Sequence, residues 1–92
     1  MGNLYQGGPI LPITILRLPA LMASTGLSRS TLYLRVAQGL WTRPISLGAR
    51  AVGWPSNEVD AIHAARIAGQ SDDDVRALVR RLHDSRRQGG VQ

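Results

Sequence analysis

Apolar positions recur along most of this chain with the period of a helix, interrupted once by a stretch with the period of a strand. Leu18, Leu21 and Met22 stand at i, i+3 and i+4, beside Pro19, whose missing N–H suits the first turn of a helix. Gly26 can take the left-handed conformation that stops such a helix, so the spacing predicts a first helix over about 19–24. Ser28 follows as a cap, able to accept from the free N–H groups of the next first turn. Leu32 and Val36, four residues apart, predict a second helix over about 29–38 that turns both toward the first and ends at Gly39. Two short helices across a Gly-centred turn make a helix-turn-helix.

The period then changes. Ile45-Ser46-Leu47 and Ala51-Val52-Gly53-Trp54 are short β-type runs around Gly48-Ala49-Arg50, which predicts a β-hairpin with a turn of three or so residues. Pro44 at its start suits an edge strand, which can spare a donor. A hairpin straight after a helix-turn-helix is a wing, with Arg50 at its tip. Trp41 and Trp54 flank it and are expected in the core, where a large ring buries area worth a few kcal/mol. Helical spacing then resumes. Ser56 is the expected cap of a third helix, with Glu58 and Asp60 at its positive end, Val59, Ile62, His63 and Ile67 inward, and Gly69 as its stop. Ser71-x-x-Asp74 is a capping box for a fourth helix, in which Val75, Leu78, Val79 and Leu82 form the most regular apolar stripe of the chain, up to Gly89-Gly90. That stripe either closes the domain's own core or docks on another copy, and it is the expected oligomerisation surface.

The expected fold is therefore mostly α with a small β-hairpin, a winged helix-turn-helix over 13–69. It carries an extra C-terminal amphipathic helix over 70–88 and a tail over 89–92. Residues 1–12 are Gly- and Pro-rich and uncharged, and read as a flexible arm. Within them Gly2-Asn3-Leu4-Tyr5-Gln6-Gly7 reads equally as a damaged protease-site linker from an expression vector or as part of a natural arm.

Charge sharpens this picture. All eleven basic residues are Arg, and none is Lys. Residues 1–57 hold five of them (Arg17, Arg29, Arg35, Arg43, Arg50) and no acid, whereas residues 58–92 hold six Arg and all six acids. The positive field thus coincides with the helix-turn-helix and the wing, and implies a polyanion, most simply nucleic acid. Ser28, Arg29, Ser30, Thr31, Tyr33 and Arg35 lie near the start and outer side of the second helix, where such side chains suit phosphates and base edges in a major groove. With Arg43 and Arg50 they are the candidate DNA-binding residues. Arg76, Arg80, Arg81, Arg86 and Arg87 are either a solvated, partly paired helix face or added phosphate contacts. There is no Cys, hence no disulfide or thiolate chemistry. The two His and six acids show no triad and no metal spacing, so neither an enzyme nor a cofactor is expected. No apolar run approaches the ~20 residues that span a bilayer. A soluble, cytoplasmic, nucleoid-associated protein is the default.

Together, Arg17-Leu18-Pro19, Thr25 through Tyr33, Gly39, Pro44-Ile45, Leu47-Gly48, Arg50, Val52, Trp54 and Glu58-Val59-Asp60-Ala61 resemble the AlpA-type phage and prophage regulators. These are small winged-helix proteins related to the MerR and excisionase DNA-binding domains, and the likeness covers about 17–68. The resemblance implies DNA binding through Ser28, Arg29, Ser30, Thr31 and Tyr33 in the major groove, with Arg50 in the wing. It also implies a role in a mobile element, as transcription regulator or as excisionase. The chain departs from the family pattern at Leu34, usually basic, at Arg35, usually apolar, at Trp41-Thr42-Arg43-Pro44, usually aromatic-Pro-basic-Pro, and at Ser46, commonly basic.

The expected function is that of an excisionase, a recombination directionality factor that binds and bends DNA so that an integrase runs toward excision. One helix and one wing read few base pairs, at about 1–3 kcal/mol per good bidentate contact. Genomic specificity needs roughly 4–10 kcal/mol, so several copies are expected on adjacent sites. Expected partners are double-stranded DNA, other copies of the chain and an integrase, and no membrane. A transcription regulator with the same contacts is the alternative. An antitoxin-type module meeting an acidic protein is a third.

Overall fold

The structure is a computed structural model that describes residues 13–91, with side chains through 88; the expected arm over 1–12 lies outside the described residues. In chain order the elements are β1 (Ile15–Leu16), α1 (Leu18–Thr25), α2 (Arg29–Ala37), β2 (Ile45–Gly48), β3 (Ala51–Pro55), α3 (Ser56–Ile67) and α4 (Asp72–Val91). The fold is a winged helix-turn-helix, as expected. Helix α1 carries Pro in its first turn. Helix α2 starts at Ser28 and buries Leu32.

The hairpin gains a third strand. β3 is the central strand, pairing antiparallel with β1 (Ile15 opposite Pro55, Leu16 opposite Trp54) and with β2 (Ile45 opposite Gly53, Ser46 opposite Val52). A register irregularity between Ser46 and Gly48 shortens the connecting loop to Ala49-Arg50. Gly53 is what lets β1 lie so close. A Cβ there would run into the Ile15 side chain and stand 3.0 Å from the Leu16 carbonyl and 3.2 Å from Leu47 Cδ1. Glycine within a strand commonly marks such an approach.

One core joins every layer. Leu21 of α1, Leu32 of α2, Leu40 and Trp41 of the following loop, Trp54 of β3, Val59, Ile62 and Ala65 of α3, and Val75 and Val79 of α4 are buried together. Both tryptophans are therefore core residues, and the Trp54 indole N–H donates to the Thr42 carbonyl at 2.8 Å. Val75 and Val79 sit inside this core, with Leu78 and Leu82 packed against it. The regular stripe of α4 is thus used within the chain, and the expectation that it meets a second copy is corrected: its side chains cover the domain's own apolar surface.

Polar ties fix α4 further. Arg76 Nε donates to the Gln38 carbonyl at the end of α2, at 2.9 Å. Arg86 grips Glu58 with both ends of its guanidinium, Nε to Oε2 and Nη2 to Oε1, each at 2.7 Å. Glu58 is only 2% exposed, so it is the buried half of an ion pair more than the helix-end charge the sequence suggests. Two further expectations change, at Ser56 and at Gly89-Gly90, and the Ser71 cap holds. Ser56 does not cap α3: its hydroxyl accepts the Thr14 N–H at 3.0 Å and its own N–H goes to the Thr14 carbonyl, which ties β1 to α3. Ser71 accepts from the Asp74 N–H at 3.1 Å, one half of the capping box. Helix α4 runs through Gly89-Gly90 to Val91, because glycine inside a helix costs only about 1 kcal/mol and removes no donor.

Candidate nucleic-acid interface

The turn between α1 and α2 is held by groups that satisfy one another. Gly26, with φ of 72°, ends α1 and donates its N–H to the Met22 carbonyl at 2.8 Å. Thr25 Oγ1 donates to the Leu21 carbonyl at 2.9 Å and accepts the Leu27 N–H at 3.1 Å. Ser28 then accepts the Thr31 N–H at 3.2 Å and donates to Thr31 Oγ1 at 2.9 Å. The hydroxyl proton of Ser28 is therefore engaged in starting α2, which sets the direction of the helix.

Arg29, Ser30, Tyr33, Leu34 and Ala37 are the exposed positions that follow. At 3.6 residues per turn they share an arc of roughly 140°, the width of a face that can enter a groove. Tyr33 is positioned by the core, its ring standing edge-on to Trp54 with centroids 6.1 Å apart. Leu34, 55% exposed, lies at one edge of this face, opposite Arg29, at the position where the family pattern is usually basic. Sequence reasoning left it out, although its offset of two from Leu32 could have placed it outward.

Arg35 lies elsewhere. Three residues after Leu32 and one before Val36, it falls on the inner flank of α2, with Nε buried, and lines a cleft with Trp41, His63 and Arg66. It is not on the face formed by Arg29, Ser30 and Tyr33. Ile67, expected inward, is 87% exposed at the rim of the same cleft, because α3 ends there. Thr31 is half-buried beside Ser28.

The wing presents Arg50 fully outward at its tip, next to Ala49 with φ of 42°. Its root is fastened by Arg17, whose Nε donates to the Val52 carbonyl at 2.9 Å. Arg43, exposed where the chain leaves the core, is held through its backbone: its N–H donates to His83 Nε2 at 3.1 Å and its carbonyl accepts from Arg86 Nη2 at 2.6 Å. Burial, and then the Arg43 and Arg86 charges, hold the His83 ring below its ordinary value, keeping it neutral as the acceptor this contact needs. Arg43, Arg80, Asp84, Arg87 and His83 line one shallow hollow, so the start of the wing adjoins the Arg-bearing side of α4.

Pairing sharpens the asymmetry of charge. Arg66, Arg76, Arg86 and Arg87 form ion pairs with Asp72, Asp73, Glu58 and Asp84. Among the described residues that leaves seven Arg without an ion pair (11 − 4) against two such acids (6 − 4), Asp60 and Asp74. All of those seven but the half-buried Arg35 are exposed: Arg17, Arg29, Arg43, Arg50, Arg80 and Arg81. No group of acids and histidines among the described residues could hold a metal ion.

Comparison with known proteins points the same way. The model of the family described as "Prophage CP4-57 regulatory protein (AlpA)" matches residues 14–67. The chain belongs to the AlpA family. A second likeness is to an "Uncharacterized protein ORF88" of Enterobacteria phage P4, 40% identical over 68 residues, covering 67% of this chain and 77% of that protein. No solved structure matches. AlpA proteins are phage-type DNA-binding regulators and not an enzyme family. The family match runs from β1 to the end of α3, which takes in the helix-turn-helix and the wing and stops before α4. No helix among the described residues is long and apolar enough to cross a membrane.

Proposed function

We propose that this AlpA-family chain is a sequence-specific DNA-binding excisionase of a mobile element, with α2 in the major groove and the wing on the adjoining backbone or minor groove. The observation that carries the reading is the shared exposed face of Arg29, Ser30 and Tyr33 behind a Ser-capped helix start, beside a wing whose tip is an unpaired Arg50. Free N–H groups at the start of α2 add to the attraction for phosphate. Arg29 and Tyr33 read base edges; Arg43, Arg50, Arg80 and Arg81 neutralise phosphates, fixing register without reading sequence. One such module supplies too few base contacts for genomic specificity, so several copies bind side by side and together bend the DNA. Because the α4 stripe is internal, contacts between copies use other surfaces.

Transcription regulation is the second reading, favoured by the family's description as a regulatory protein. Both uses need the same face. They are separated by an excision assay with the integrase of the same element beside a reporter fused to the element's promoters. Footprints repeated across the attachment region, together with protein-dependent excision, support the excisionase. Promoter footprints with no effect on excision overturn it in favour of the regulator.

A further inference from the structure

Leu34 is where α2 points most directly away from the core. Leu32 is buried and Val36 packs against the same cluster, and Leu34 is two residues from each. At 3.6 residues per turn it therefore stands about 200° around the helix from Leu32 and about 160° from Val36. It is 55% exposed, more than Tyr33 at 37%. Ser30, one turn earlier, and Ala37, one turn later, are exposed and short, so the Leu34 side chain projects past both. With Ala37 it makes an apolar flank on a face whose one charge, Arg29, lies at the opposite edge.

A lone exposed leucine on a protein surface is ordinary. On a helix lying in the major groove the same residue has a consequence, because it must take water from a base edge. Guanine presents N7 and O6 there, cytosine its N4 amino group, and adenine N7 with its N6 amino group. Leucine neither donates nor accepts, so against any of these it strips water and returns no hydrogen bond. Thymine alone presents an apolar group, its C5-methyl. Contact with that methyl removes apolar surface from water on both sides.

We propose that Leu34 is a specificity-determining residue that packs against the C5-methyl group of a thymine, so that the recognised site carries an A·T pair on the Leu34 side of α2. This rests on the reading that α2 enters the major groove. Arg29 and Tyr33 read their bases by hydrogen bonds, whereas Leu34 selects by the one base edge that needs none.

The test uses a duplex holding one site footprinted in the element's attachment region. Each thymine of the footprint is replaced in turn by deoxyuridine, which pairs with adenine as thymine does and lacks only the methyl. Binding of the full chain and of Leu34→Ala is measured by fluorescence anisotropy. For the unaltered chain, deoxyuridine at one position is expected to weaken binding roughly fourfold, the worth of one buried methyl. In Leu34→Ala the same replacement should have little or no effect, because the methyl has lost its partner. The unaltered chain supplies the first result, which stands however the variant folds. The inference is overturned if no deoxyuridine weakens binding, or if the weakening persists in full in Leu34→Ala. It is also overturned if Leu34→Ala lowers cooperativity on multi-site DNA while every deoxyuridine duplex binds normally, which would place Leu34 against a neighbouring copy. Arg29→Ala separates the two levels. If the unaltered chain binds the thymine duplex in an Arg29-dependent way and all deoxyuridine duplexes equally well, only the role of Leu34 falls; if it binds no duplex, the groove reading falls and this inference with it.

Discussion

Removing the Arg86 guanidinium should cost more stability than any other single charge in the molecule. In Arg86→Met the apolar stem is kept, but Glu58, 2% exposed, loses two charge-assisted bonds of 2.7 Å, and the Arg43 carbonyl loses its donor at 2.6 Å. Stranding one partner of a buried pair typically costs about 3–5 kcal/mol. A domain of this size is stable by about 5–15 kcal/mol, so roughly a fifth or more of the total is at stake. At roughly 4–8 °C per kcal/mol, the melting temperature should fall by at least about 12 °C. Thermal and urea unfolding followed by circular dichroism measure this directly. The double variant Glu58→Leu/Arg86→Met should recover most of the loss, since it leaves no charge behind. A loss under about 1 kcal/mol in the single variant, or a double variant no better than the single, would refute the reasoning that this pair locks α4 onto α3.

Other consequences can be checked separately. Gly53→Ala should destabilise by about 1–3 kcal/mol through the clash with Ile15 and the Leu16 carbonyl, read in the same unfolding experiments; wild-type stability would deny β1 its place against β3. His83 is held below its ordinary value near 6.5, so the unfolded chain takes up its proton first as pH falls. Its contribution to stability is therefore complete above about pH 6.5 and is lost as pH drops through the folded value. Unfolding midpoints against pH should show this loss, and His83→Gln should flatten it. Arg29→Ala should weaken binding and relax sequence choice, whereas Arg50→Ala should lower affinity about equally across sequences; competition binding with permuted duplexes distinguishes them.

Much of this architecture was legible because the sequence states it locally. Gly26 and Ser28 announce a stop and a start two residues apart, and Leu32 with Val36 fixes which side of α2 faces inward. Boundaries of the wing followed from its change of period. What was hidden depended on distant partners. β1 is only two residues long and makes sense only beside β3; the apolar run Ile13, Ile15, Leu16 and the lone Gly53 in a strand were its two signals. Ser56 looks like a cap until Thr14 arrives to take its hydroxyl. The α4 stripe says that a surface is buried and not whose surface covers it, which only the packing of Val75 and Val79 decides. In the site, Arg29, Ser30, Tyr33 and Arg50 were placed outward by counting along the helix and hairpin. Arg35 was misplaced because charge suggested an outer position and the angle from Leu32 did not.

The central claim is that the exposed α2 face and the wing grip duplex DNA. Fluorescence anisotropy of the full chain with a labelled duplex from its element's attachment region, titrated with salt between about 50 and 300 mM, addresses it most directly. The account predicts a log affinity that falls linearly with log salt, by roughly 0.9 for each phosphate neutralised, with the slope reduced by about one in Arg50→Ala. No binding at the lowest salt, or binding indifferent to salt and to the loss of Arg29 and Arg50 together, would contradict it.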